Sequence, residues 1–160
     1  MYIIFVFPFL YTMANTAHKI EIAPEVVEIY KNFKQKRQYK WLIFKLNQET
    51  FQMEITNQGA PNTGVAEFVK AFPDTDARYG IYDLPIQNKY GGSGSKLILF
   101  IWCPSTAGRN NMFYASSRRS LDVFFQGTED KQVTTRKAIE EILNPSKKGN
   151  DDDDEFGPDA

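Results

Sequence analysis

Two stretches, KWLIFKL at 40–46 and SKLILFIW at 95–102, set the strictest limit on what this chain can become. Each is an almost unbroken apolar run, short for a helix and without the in–out alternation of a strand that has one wet face. Such runs belong to strands buried on both sides, so other elements must cover both faces of the sheet that holds them. RYGIYDL at 78–84 reads as the strand that pairs with SKLILFIW, while FQMEIT at 51–56 alternates Phe51, Met53 and Ile55 inward after an NQE hairpin turn. The segment PIQNKYGGSG joins the second strand pair. The covering elements are legible as well. Behind Pro24, which a first helical turn tolerates, Val26, Ile29, Tyr30 and Phe33 recur at helical spacing and lead into the basic stretch KQKRQYK. Val65, Phe68, Val69 and Phe72 predict a second helix that Pro73 stops. Residues 105–127 read as one long helix and 135–143 as a short last one, giving an α/β (α+β) layered domain with helices on both faces.

With 160 residues, 42% hydrophobic and 24% charged, the chain has the size and composition of one ordinary domain. A core of that size needs neither disulfides nor metal. A single cysteine, Cys103, and a single histidine, His18, exclude a disulfide framework and a Cys/His zinc cluster. The acids of the body are scattered, and no pair is placed for acid/base work. No catalytic residue, metal or cofactor is therefore expected, and Cys103, at a strand end, reads as a buried inert thiol. GGSGSK at 91–96 resembles a phosphate cradle only superficially. A P-loop runs from a strand into a helix, whereas these glycines precede a strand, as a hairpin tip does.

Charge is unevenly distributed. Residues 1–150 hold all nineteen Lys and Arg against fourteen acids, a net of +5, and DDDDEFGPDA carries the other six acids. The acidic run lacks the spacing of a calcium loop and reads as a solvated, disordered tail over 145–160. The positive body points to an acidic partner, which composition leaves open among a protein face, phosphoinositide headgroups and nucleic acid. Its densest cationic stretch holds Lys34, Lys36, Arg37 and Lys40, readable as a lipid-binding patch, a nuclear-import signal or a plain charged helix end. At the other end, MYIIFVFPFLYT is apolar but too short to span a bilayer and lacks the basic start of a secretory signal. Residues 1–12 are read as an extension, with the working chain beginning near Met13.

The long helix carries the most information. At about 100° per residue, Phe113, Tyr114, Ser117, Leu121, Phe124 and Phe125 share one side, a core stripe. Arg109, Met112, Ser116, Arg119, Ser120 and Val123 share another, where two guanidinium groups flank small hydroxyls and a thioether. Arg and Met are both enriched at interface cores, so this flank is a candidate binding face.

The blocks KWLIFKL, RYGIYDL, SKLILFIW with CPSTA after it, and MFYASSRRSL recur in the order of the actin-depolymerising factor/cofilin family, which residues 13–143 resemble. The resemblance implies an ADF-homology domain at 13–144 with a gelsolin-like central mixed five-stranded sheet. It also implies a cytoplasmic and cytoskeletal monomer, with the nucleus as an alternative location, that binds actin monomers and filaments and no nucleic acid. Carried over residue by residue, actin contacts fall on Arg109, Asn111, Met112, Ser116, Arg119, Ser120 and Val123. The N-terminal contact falls near Asn15 and Thr16. The family's phosphorylation switch would have only the Thr16 hydroxyl to use, since a phosphate there adds nearly two negative charges toward an acidic surface. The filament-side contact falls on Lys96 and Glu140. An alternative function on the same fold is a phosphoinositide-responsive membrane-surface adaptor, which would use the cations Lys34, Lys36, Arg37 and Lys40.

Three departures qualify the carry-over. GRNN between Ala107 and Met112 is one residue short and offers Asn111 in place of a common lysine; Gly94 and Glu141 stand where basic residues are common; and TEDKQVTT leaves little room for a closing strand. Either that strand is truncated or the long helix ends early. Because these losses fall on the filament-side contact, monomer binding is expected to exceed filament binding, with poor severing.

Overall fold

The computed structural model describes residues 19–145, so residues 1–12, Asn15, Thr16, His18 and the acidic segment from 146 lie outside the described residues. The elements begin β1 (Glu21–Ile22), α1 (Pro24–Gln35), β2 (Trp41–Leu46), β3 (Gln52–Gly59) and α2 (Val65–Lys70). They continue β4 (Arg78–Gln87), β5 (Ser93–Trp102), α3 (Asn110–Ser117), β6 (Glu129–Val133) and α4 (Arg136–Leu143). Among the described residues these strands form one sheet in the order β1-β3-β2-β4-β5-β6. Pairing is antiparallel in the centre and parallel at both margins, β1 on β3 and β6 on β5.

The buried runs behave as two-sided strands must. Trp41, Leu42, Ile43 and Phe44 are all buried, and alternate residues feed two different cores. On one face, Leu42, Phe44, Tyr79, Ile81 and Leu99 meet Val26, Tyr30 and Phe33 of α1 and Tyr114, Leu121 and Phe125 around α3. On the other, Trp41, Ile43, Tyr82, Ile98 and Phe100 meet Phe68 and Val69 of α2 and Ile139 and Leu143 of α4. Gly80 in β4 is required by close approach: the Phe72 ring lies where a β-carbon would project.

Three expectations need correction. The sheet has six strands rather than five, because β1 pairs with Gln52 and Met53 through two residues, too few to show a period. Of the two alternatives for the closing strand, the early end of the long helix is the one found: β6 runs beside β5 from Glu129 opposite Ile98 to Val133 opposite Trp102. The space comes from the long helix, which ends at Ser117, tightens to a 3₁₀ turn over Arg118–Leu121 and reverses by Gly127 at φ 83°. Leu121 and Phe125 nonetheless stay in the core, because one α-type turn follows the 3₁₀ segment, the Phe125 N–H donating to the Leu121 carbonyl at 2.9 Å. The β4–β5 strands also run farther than expected, leaving a turn at 88–92 in which the Asn88 side chain accepts from the Tyr90 and Gly92 N–H groups.

Candidate functional site

The chain reaches α3 from the end of β5 through Pro104, a 3₁₀ turn at Ser105–Ala107 and Gly108, whose φ of 59° is a left-handed value suited to glycine. Several contacts set the pitch of the helix on the sheet. Tyr79 donates its hydroxyl to the Tyr114 carbonyl, and the Tyr114 hydroxyl accepts from the Leu46 N–H at 2.8 Å. Burial pushes the Tyr114 phenol up to about 12. At the first turn, Asn110 donates to Asp76 and accepts from Gln48, while Asn111 donates to the Pro104 carbonyl at 2.7 Å. Burial alone would raise the Asp76 carboxyl, but the hydrogen bond and charge of Arg78, with the Asn110 amide, hold it below the ordinary range.

Held this way, α3 has one side committed and one side free. Tyr114, Ser117, Leu121 and Phe125 point inward. Met112 is 75% exposed and Val123 87% exposed, two of the few large apolar side chains the described surface leaves in water. Arg109, Ser116, Arg119 and Ser120 are exposed beside them. Ser116 and Ser120 bond back to the Phe113 and Ser117 carbonyls, so they present low, closed surfaces rather than free hydroxyls. Neither Arg109 nor Arg119 forms an ion pair among the described residues, whereas Arg118 between them in sequence binds Asp122 and Asp130 and lies over the Phe125 ring. Asn111 is half-buried, with its amide tied to the Pro104 carbonyl, and belongs to the base of the helix rather than to its outer rim.

Arg109 also borders an open cleft of about 670 Å³ lined by Lys45, Asn47, Gln48, Glu49 and Asp76. Sequence reasoning did not find it, because its polar residues come from three separated segments with no shared motif. The chain enters the fold beside it: the Glu21 N–H donates to the Phe51 carbonyl at 2.8 Å, at the end of the same β2–β3 turn.

The remaining candidates lie at the opposite end of the sheet. Lys96, on β5, pairs with Glu129, which Lys131 also contacts at 3.1 Å, and these two cations hold the Glu129 carboxyl below its usual range. Glu140 is exposed on α4, and among the described residues no hydrogen bond or ion pair joins it to Lys96. Lys34 ends α1 with its ammonium 5.4 Å from the Tyr30 ring, and Lys36 caps the helix. Arg37, at φ 51°, reaches Ser95, and Lys40 lies 5.5 Å over the Tyr82 ring. Arg37 and Lys40 rim a smaller cleft with Asp83 in its wall, where one carboxylate oxygen is buried without a hydrogen-bond partner.

A mixed sheet sandwiched between two helix pairs, with a two-faced helix entered through a proline turn, defines a class of small binding domains. Residues 19–143 match the family described as cofilin/tropomyosin-type actin-binding proteins, and the chain belongs to that family. An actin-depolymerizing factor of Zea mays is 31% identical over 115 residues, covering 69% of this chain and 83% of its own. Actophorin of Entamoeba histolytica is 26% identical over 136 residues, 80% of this chain and 98% of its own. Among solved structures, Streptomyces griseoflavus cofilin superposes with a TM-score of 0.66 at 26% identity, covering 81% of this chain and 98% of its own. Glia maturation factor from Caenorhabditis elegans reaches 0.69 at 19% identity over 82% and 96%, a likeness of fold alone.

Proposed function

We propose that this protein binds actin through the outward flank of α3 and so regulates filament turnover, acting by binding alone. The observation that carries this reading is the exposure of Met112 between Arg109 and Arg119, which no carboxylate of the described chain engages, with Val123 exposed beyond them. An apolar centre ringed by guanidinium groups fits a groove with acidic margins on a partner. Residues near Asn15 and Thr16 extend the contact, since the chain enters on the Arg109 side. Because Lys96 is already paired with Glu129, engaging it with a filament means exchanging that partner, which supports stronger monomer than filament binding and weak severing. Native gels with monomeric actin and cosedimentation with filaments test both parts. The expected result is a shifted monomer band with sparse decoration of filaments; tight stoichiometric decoration contradicts the preference, and no shift contradicts actin binding.

A second reading is favoured by Lys34, Lys36, Arg37 and Lys40, which no ion pair engages among the described residues: a phosphoinositide-responsive contact with membrane surfaces. Flotation with and without anionic lipid separates it from the first reading.

A further inference from the structure

We propose that the small cleft lined by Arg37, Lys40 and Asp83 binds a ligand that carries both an ammonium and a phosphate, as phosphoethanolamine does. The ammonium is held by Asp83 and the phosphate by Arg37 with Lys40. This site lies beyond both readings above: no α3 residue lines it, and a phosphoinositide headgroup, anionic throughout, brings nothing for Asp83 to hold. Asp83 follows the Tyr82–Trp41 pair on β4, and its N–H donates to the Lys40 carbonyl at 3.0 Å. Strand alternation turns its side chain to the sheet face of Ile81 rather than that of Tyr82. At 9% exposed it is one of two buried polar residues among the described ones, the other being Ser117. No hydrogen bond or ion pair reaches its carboxylate among the described residues, and one oxygen is shut away from water. Burial of a carboxylate is costly without a donor, so a donor from outside the chain is the complement this group lacks.

Two cations line the same cleft and still leave that carboxylate unpaired. Arg37 has a left-handed φ of 51°, uncommon outside glycine, and donates to the Ser95 hydroxyl at 3.4 Å. The Lys40 ammonium lies 5.5 Å over the Tyr82 ring. The cleft measures about 180 Å³, below the roughly 300–1,000 Å³ of sites for drug-sized molecules, so its occupant is small. Charge then selects among small ligands. A lone anion is attracted by Arg37 and Lys40 but repelled by Asp83, and a lone cation meets the reverse. A ligand with both charges a few bonds apart satisfies Asp83 and the two cations together. Phosphate suits a guanidinium, whose planar fork of donors matches its oxygens. A primary ammonium brings the N–H groups that a carboxylate accepts from, which a quaternary one lacks.

Titration of the full chain with O-phosphoethanolamine, followed by calorimetry and amide NMR, tests this directly. Weak but saturable binding is expected, with shifts at the Asp83, Gly94 and Ser95 amides. Phosphocholine and inorganic phosphate should each bind about ten-fold more weakly, the loss of one charged hydrogen bond. Asp83→Asn, checked for an unchanged unfolding temperature, should erase that preference. Equal affinities for these compounds on the natural chain overturn the proposal without recourse to a variant, and so does a preference that survives in Asp83→Asn. Flotation with phosphatidylcholine vesicles, with and without phosphatidylethanolamine, identifies the source of the ligand. Both lipids are net neutral, so a gain reads the primary ammonium and not the anionic attraction on which the membrane reading depends. Flotation raised by phosphatidylethanolamine supports a lipid headgroup, and binding of the free compound without that gain supports a soluble aminophosphate. The absence of both overturns the site, whatever anionic vesicles do.

Discussion

Arg118 and Arg119 are neighbours in sequence and opposites in the fold. Arg118 has a side chain 14% exposed, clasped by Asp122 and Asp130 and lying over Phe125; Arg119 stands in water with no ion pair among the described residues. The same chemical group serves cohesion in one case and is available for recognition in the other. α3 and the turns that flank it repeat that contrast, with buried Tyr114, Leu121 and Phe125 against exposed Arg109, Met112 and Val123. A flank that spends its side chains on the core should lose stability when cut. One that leaves them exposed should lose only partner affinity.

The largest effect expected on the cohesive side is Leu121→Ala, which removes a side chain 1% exposed and should cost about 2–5 kcal/mol in chemical denaturation. Arg118→Ala comes next, at about 1–3 kcal/mol, because Asp122 and Asp130 lose a charged hydrogen-bond partner. On the recognition side, Arg119→Glu should leave the unfolding midpoint within about 0.5 kcal/mol of the parent, while weakening the complex with monomeric actin. If it unfolds the protein as Arg118→Ala does, the contrast between the flanks fails.

The remaining effects are pH-dependent. Asp76 has a depressed folded value, so the unfolded chain binds more protons just below the ordinary carboxylate range; stability falls as acid is added through that window. Tyr114 is raised from 10.0 to about 12, so the unfolded chain gives up its proton first, and stability is lost as pH climbs from about 10 toward 12. Denaturant midpoints across both windows, repeated with Asp76→Asn, should show a flattened acid limb and an unchanged alkaline one.

Much of this layout was legible in advance, and for a physical reason. The strands at 40–46 and 95–102 are so apolar that they fit only a two-sided sheet, and the stripe from Phe113 to Phe125 marks the core side of its segment. It did not mark where the helix stops: Leu121 and Phe125 keep one i,i+4 turn beyond the 3₁₀ segment, and the partner that draws in Arg118, Asp130, lies on a strand twelve residues away. β1 was invisible because two residues carry no period. The outward flank was visible as a pattern, but that Arg109 and Arg119 form no ion pair among the described residues could be read only from the structure. Asn111 shows the converse, since nothing in GRNN marks its amide as a brace for the Pro104 carbonyl.

The account rests on the exposed thioether at the centre of that flank. Titration of monomeric actin with the natural chain and with Met112→Ala, alongside thermal unfolding of both, tests it most directly. An affinity loss of about 2 kcal/mol or more, some thirty-fold, with an unchanged unfolding temperature is the predicted result. Equal affinities would place the contact on another face.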